Sequence, residues 1–327
     1  MIKVLYAGSP EASSKTLEGL IALSQNEPFF KIVGVLTNPP SAQKRSSQLI
    51  PTPCAQIAQK YQIPVFCPEH LDSACREQIL PLKADILVCF AYGHIFGPKF
   101  LSLFKFGGIN LHPSALPKYR GCTPVNAAIL NRDSQTAFTI QKVGLKMDEG
   151  AILAQEKITL NFTETAFSLL NDAALHGIKL ISNILKETEQ NQKIPDGTEQ
   201  SGIASYTKII LKEDAKIDWN DSSLKIDAFV RAYFKEPCAW CTENEQKLNI
   251  LSGLPLSENE IDENLLPQDY KNAQNGTVLA FIKSKGIIVK CQNGFYAITS
   301  LQRQGKNPMD YKSFMNGARN FLGTVLN

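Results

Sequence analysis

Through the first 112 residues, short apolar runs of strand length take turns with stretches of helical periodicity, and few folds satisfy that order. Lys3 to Ala7 reads as a strand, Gly8-Ser9-Pro10 as a turn, and Leu17, Leu20, Ile21 and Leu23 as the apolar side of a helix. Lys31 to Thr37 is a second strand. Thr52-Pro53 predicts a helix start, because proline suits a first turn whose N–H groups have no helical partner. Pro64-Val65-Phe66, a helix near 69–80, Asp85 to Cys89 and Gly108 to His112 complete the series. Strands that are apolar throughout must be covered on both faces, which requires helices above and below the sheet. The expected architecture is a doubly wound, mostly parallel α/β sheet.

Ala137 to Val143 and Ala151 to Leu160 add two strand-like runs, joined by the loop Gly144-Leu-Lys-Met-Asp-Glu-Gly150. A long amphipathic helix fits 164–187, with Phe167, Leu170, Ala174, Ile178, Ile181 and Leu185 on one side. From Thr188 to about Ser205 the chain is polar and aperiodic, which reads as a linker. Residues 1–188 are therefore expected to form one domain, 189–205 a connection, and 206–327 a second domain. In that last part Leu248–Leu251, Thr277–Ile282, Ile287–Cys291 and Phe295–Leu301 are short strands separated by turns, without a regular helix between them, and suggest a small β-barrel. A closing helix is expected with Asn307 as cap and Pro308 in its first turn.

The balance of 34 Lys and Arg against 31 Asp and Glu leaves a net charge of only +3, too little for binding nucleic acid by bulk attraction. Any such contact must be local. The 8 cysteines are scattered, the pattern of reduced thiols rather than of a disulfide scaffold. Cys238-Ala-Trp-Cys241 lacks a second ligand pair for zinc and the helix start of a redox motif, so both are expected to pack inside. No apolar run approaches a membrane span, and the amino terminus reads as a strand rather than a leader. A cytoplasmic protein with no membrane contact is expected.

In a doubly wound sheet, ligands bind beyond the carboxyl ends of the strands. Gly8-Ser-Pro-Glu-Ala-Ser13 follows the first strand but is no GxGxxG, and no GxxxxGK[ST] occurs, which disfavours nicotinamide and nucleoside-triphosphate chemistry. Asn110 and His112 lie two apart near a strand end, so they share one face just before Pro113. An amide donor beside an imidazole can stabilise an oxyanion and move protons. The residue types alone fit a polar pair satisfied within the core equally well. Asp148 lies in the glycine-bounded loop; beside His112 it would orient the imidazole and raise its pKa, although spacing leaves a plain solvated turn open. His94 follows Phe90-Ala-Tyr-Gly93 at another strand end, whereas His70 and His176 fall in helical patterns. No cluster has metal-ligand spacing, so no metal is expected.

These segments together resemble the formyltransferases that use 10-formyltetrahydrofolate. The resemblance rests on Ile109-Asn-Leu-His-Pro-Ser-Ala-Leu-Pro117, Lys118-Tyr-Arg-Gly121 and Val143-Gly-Leu-Lys-Met-Asp-Glu-Gly150. It implies that Asn110, His112 and Asp148 are the catalytic trio. It also implies that Ser114, Ala115, Leu116 and Pro117 contact folate, with Ala115 departing from the family's Ser-Leu-Leu-Pro. Phe90, Ala91, Tyr92, Gly93 and Val143 would line the pterin pocket. Within the superfamily the chain is most similar to the methionyl-tRNA formyltransferases, through Ala7-Gly-Ser-Pro10, Lys216-Ile-Asp-Trp219 and Arg231-Ala-Tyr233. That similarity implies an OB-like second domain and contact with initiator tRNA. The family's basic loop after the second strand is here Asn38 to Ser47, which keeps only Lys44 and Arg45. Lys208, Lys212, Arg303 and Lys306 are further candidates for tRNA contact.

The implied reaction moves a formyl group from 10-formyltetrahydrofolate to the amine of initiator methionyl-tRNA, with no metal and a monomeric enzyme. Two other readings share these features: a formyltransferase acting on an amino sugar nucleotide or other small amine, and an inert folate- or RNA-binding module.

Overall fold

The computed structural model describes residues 1–42 and 48–327; the basic pair Lys44 and Arg45 lies outside the described residues. The chain divides into two compact units. The first comprises Met1–Pro124, Gln135–Thr159 and Leu169–Lys208, and the second Val125–Ser134, Leu160–Ser168 and Ile209–Asn327.

The first unit opens with β1 (Ile2–Ala7), α1 (Glu11–Asn26) and β2 (Phe30–Leu36), then the short paired strands β3 (Ser41–Ala42) and β4 (Leu49–Ile50). α2 (Pro53–Lys60), β5 (Val65–Phe66), α3 (Ser73–Ile79), β6 (Ile86–Cys89), α4 (Pro98–Leu101) and β7 (Gly108–His112) follow. After β8 (Arg120–Gly121) and α5 (Pro124–Leu130), which from Val125 onward belongs to the second unit, β9 (Gln135–Lys142) and β10 (Ile152–Thr159) return to the sheet. α6 (Ala166–Asn191) and β11 (Tyr206–Thr207) complete this part of the chain. The main sheet has seven strands in the order β10-β9-β7-β6-β1-β2-β5. β7, β6, β1, β2 and β5 run parallel, while β9 and β10 are antiparallel. This is the parallel-dominated α/β sheet expected from the alternation.

Local chemistry sets the element ends. Thr52 caps α2 by accepting from Ala55 N at 3.2 Å, with Pro53 in the first turn. α3 starts at Ser73 rather than near 69, because the Asp72 carboxylate accepts from Cys75 N at 3.0 Å and fixes the entry there. The central strands Val4–Ala7 and Ile86–Val88 are fully buried. α6 lies close against β7 because Gly177 has no side chain: a Cβ there would sit 2.4 Å from Leu111 Cδ2.

In the second unit, α7 (Ser223–Ala232) precedes β12 (Trp240–Glu243), β13 (Gln246–Leu256), β14 (Val278–Ile282), β15 (Gly286–Lys290), β16 (Phe295–Arg303) and β17 (Met309–Asp310). They form an antiparallel sheet in the order β12-β13-β16-β15-β14, with β17 on β16. The sheet curls into a half-barrel. β13 is much longer than the four residues expected, and its register slips between Ile250 and Ser252 and again at Gly253, where bulges bend a strand. Trp219, Ile226, Val230, Ile250, Val289, Tyr296 and Phe321 fill its core. The closing helix α8 (Tyr311–Gly317) begins after Asp310, not at Asn307: Met309 and Asp310 still pair with β16, and the Asp310 carboxylate caps Lys312 N and Ser313 N at 2.9 and 3.0 Å. Cys238 and Cys241 are buried, and all eight cysteines are unpaired. Among the described residues no helix is long and apolar enough to cross a membrane.

Candidate active site

β7 lies where the sheet changes direction, parallel to β6 and antiparallel to β9. Asn110 therefore sits opposite Cys89 on one side and Gln141 on the other, and His112 sits opposite Thr139. His112 is buried, and its Nε2 lies 2.9 Å from the Tyr119 carbonyl oxygen. A carbonyl can only accept, so this contact puts a proton on Nε2. Nδ1 is then the lone-pair nitrogen of the neutral ring, and it faces Asp148 Oδ2 at 3.6 Å.

Burial pushes the His112 pKa below its ordinary value, while Asp148 and the Tyr119 carbonyl act in the opposite sense. Asp148 acts on it in the expected direction, upward, yet the net shift is downward. The carboxylate does pull upward, but desolvation of a fully enclosed imidazolium is the larger effect.

Asp148 adopts φ +54°, the left-handed region that glycine, asparagine and aspartate enter more readily than other residues. Several donors hold it. Gly121 N donates to Oδ2 at 2.8 Å, Gln141 Nε2 to Oδ1 at 2.7 Å, and Asn110 Nδ2 to Oδ1 at a longer 3.4 Å. Gly150 must be glycine to close the loop, since a Cβ would fall 1.8 Å from Lys142 O. Leu145 and Met147, on either side of Lys146 in this loop, are 62% and 44% exposed. The structure thus brings Asn110, His112 and Asp148 together.

A second layer, not singled out from the sequence, surrounds the trio. Gln200 Nε2 donates to Asp148 O at 2.8 Å and to Gly150 O at 2.9 Å. Its Oε1 accepts from Arg120 Nε and Nη2 at 3.1 and 2.8 Å. Arg120 Nη1 also reaches Tyr206 OH at 2.8 Å and Glu149 Oε1 at 3.1 Å. Within residues 189–205, α6 continues to Asn191, Thr198 bridges Ile152, and Ser205 Oγ accepts from Tyr119 N at 2.9 Å. Gln200 sits in an aperiodic polar stretch, where no local pattern marks one amide from another.

The segments proposed for folate are placed as follows. Phe90 and Tyr92 are buried, while Ala91 and Gly93 are exposed with φ of +51° and +85°. A Cβ on Gly93 would meet nothing within 4 Å, so its main chain faces open space. Ser114 is buried with its hydroxyl donating to Lys118 O at 2.6 Å, so it shapes the Ser114–Lys118 turn through that bond. Leu116 is buried, Ala115 and Pro117 are partly exposed, and Val143 N donates to Gly108 O at 2.8 Å. His94 Nε2 lies 3.0 Å from Asn38 Oδ1, and His176 Nδ1 lies 3.1 Å from Glu156.

Lys208 in the first unit, and Lys212 and Lys306 in the second, are exposed. Arg303 differs. Its guanidinium pairs bidentately with Glu243 at 2.8 and 2.7 Å and lies over the Phe314 ring.

The formyl transferase family model matches residues 2–185, and the model of the formyl transferase C-terminal domain matches residues 209–319. The methionyl-tRNA formyltransferase of Treponema denticola is 36% identical over 98% of both chains. That of Staphylococcus epidermidis is 30% identical over 100% of both. HypX from Aquifex aeolicus, solved in complex with tetrahydrofolic acid, shares the fold with a TM-score of 0.67 at 15% identity, covering 99% of this chain and 48% of that one. Agreement in both domains, over the whole length of relatives at this identity, shows that the chain belongs to the methionyl-tRNA formyltransferase family.

Proposed function

We propose that this chain transfers the formyl group of 10-formyltetrahydrofolate to the α-amino group of initiator methionyl-tRNA. The convergence of Asn110, His112 and Asp148 at one strand end, in a chain whose full-length relatives are named for that reaction, carries the reading.

In this reading the neutral amine attacks the formyl carbon and the carbonyl electrons move onto oxygen. An α-amino group with pKa about 7.7–8.0 is about a tenth to a fifth neutral at pH 7, so positioning matters more than a strong base. The Asn110 amide, only loosely engaged by Asp148, would donate to the developing oxyanion. The attacking nitrogen must shed a proton, and His112 Nδ1 is its acceptor. Burial keeps the imidazole neutral before reaction, and Asp148 makes the transient imidazolium tolerable. Collapse of the tetrahedral intermediate restores the carbonyl and breaks the bond to N10 of the folate, which leaves with a proton.

The main chain at Phe90–Gly93 and along Val143–Asp148 would meet the pterin edge, with the Ser114–Pro117 turn beside it. Lys44, Arg45, Lys208, Lys212 and Lys306 would meet the tRNA phosphates. We take the enzyme to act in the cytoplasm, as a monomer and without a metal.

Incubation with a carbon-labelled formyl donor and methionyl-tRNA tests the proposal. Label should appear as N-formylmethionine released from the tRNA. Label on an amino sugar nucleotide but not on methionyl-tRNA, or folate binding with no transfer to either, would overturn it.

A further inference from the structure

We propose that Gln200 is a positioning residue for the formyl transfer: its amide holds the Asp148 loop at the distance from His112 that the reaction uses. The inference rests on the function proposed above. The neutral side chain is used at both ends. Its amide nitrogen donates to the carbonyls of Asp148 and Gly150, one on each side of Glu149, and at a longer 3.3 Å reaches Gln141 Oε1, while its oxygen is gripped by two nitrogens of Arg120. Arg120 is held in turn by Tyr206 and Glu149, and its main chain pairs with β11.

The arrangement has a mechanical consequence. Asp148 sits at φ +54°, a conformation that costs free energy for a residue with a side chain, less for aspartate than for most, and its neighbours help to hold it there. Gly121 N and Gln141 hold the carboxylate, but its backbone carbonyl is held by Gln200. Leu145 and Met147 are exposed, so apolar packing does little to fix the loop. Without the Gln200 amide, the peptide carrying Asp148 can relax toward an ordinary conformation and draw the carboxylate from Nδ1.

Full-length Gln200→Met and Gln200→Glu separate the contributions. Methionine fills similar space with neither donor nor acceptor. Glutamate keeps and strengthens the pairing with Arg120 but loses both N–H donors to the loop. If the loop contact matters, both variants should lose roughly 10–100-fold in kcat, the scale of a small misplacement at a reacting centre. The groups facing His112 are Asp148 and the Tyr119 carbonyl, with Thr139 opposite it on β9, and Asp148 is the one that would move. Below the ionisation of the substrate amine, the break in kcat/KM set by His112 should therefore move to lower pH, most in Gln200→Met, because Gln200→Glu adds a negative charge that pulls the other way. A merely structural defect would lower kcat without moving that midpoint. Circular dichroism and thermal unfolding check that each variant is folded, and glutamate remains as the test should methionine fail to fold.

A titration of His112 by NMR with labelled histidine reads the same displacement without turnover. Should the wild-type protein fail to formylate methionyl-tRNA, the functional reading falls while this titration still decides the role of Gln200. A His112 midpoint unchanged in both variants, or kcat within twofold of wild type, overturns the proposal.

Discussion

Asn110 and Gln141 face each other across β7 and β9, and both send an amide nitrogen to the same carboxylate oxygen of Asp148, Gln141 at 2.7 Å and Asn110 at 3.4 Å. The difference divides their labour. Gln141 is committed to holding the carboxylate, whereas the Asn110 contact is near the limit of a hydrogen bond and is easily exchanged for a substrate oxygen.

Asn110→Ala should therefore lower kcat by about 10²–10³, the range for removal of one oxyanion donor, with little change in folate KM. Gln141→Leu should also lower kcat, but through Asp148, and so should move the pH profile as Asn110→Ala does not. Steady-state kinetics across pH distinguishes them. Equal profiles in the two variants would contradict the division.

Asp148→Asn removes the charge that works against burial at His112. The His112 pKa, already held down by desolvation, should fall further, and the break in kcat/KM that lies below the ionisation of the substrate amine should move to lower pH while kcat drops. A break displaced to higher pH would mean that Asp148 does not face a titrating His112 in the working enzyme.

The same burial makes a statement about stability. The folded-state pKa of His112 lies below its unfolded value of about 6.5, so below that pH the unfolded chain binds the extra proton. The contribution to stability is fully present above pH 6.5 and is lost as pH falls toward the folded-state pKa. Denaturation midpoints measured from pH 7.5 down to about 5.5 should decline, and His112→Gln should flatten that part of the decline.

How much of this was legible in the sequence follows from what each feature depends on. The sheet is readable because strands such as Val4–Ala7 and Ile86–Val88 are buried on both faces, and caps such as Thr52 act within four residues. Asn110 and His112 share a face by strand geometry alone. Asp148 could be tied to them only by likeness to a family, because 38 residues separate it from Asn110 in the chain. Gln200 was invisible for a different reason: its partners at positions 120, 148 and 150 come from two other segments. Asn307-Pro308 carries the usual cap signal three residues before the true one, because the register of β17 on β16 hands the cap of α8 to Asp310.

The basic residues of the second unit can be ranked by how their charges are already used. Arg303 is paired through two bonds to Glu243 and stacked on Phe314, and Lys306 is exposed in the turn that follows the same strand. A charge already neutralised by a bidentate carboxylate releases little counterion from tRNA. Lys306→Ala should therefore weaken methionyl-tRNA binding and reduce the dependence of log K on log salt by about 0.7–0.9, the share of one phosphate contact. Arg303→Ala should leave that slope almost unchanged and instead cost about 1–2 kcal/mol of unfolding free energy, from the lost ion pair and ring contact. Filter-binding titrations between low and moderate salt, with denaturant unfolding of each variant, measure both effects. A slope that falls with Arg303→Ala but not with Lys306→Ala would show that Glu243 releases its partner when tRNA binds.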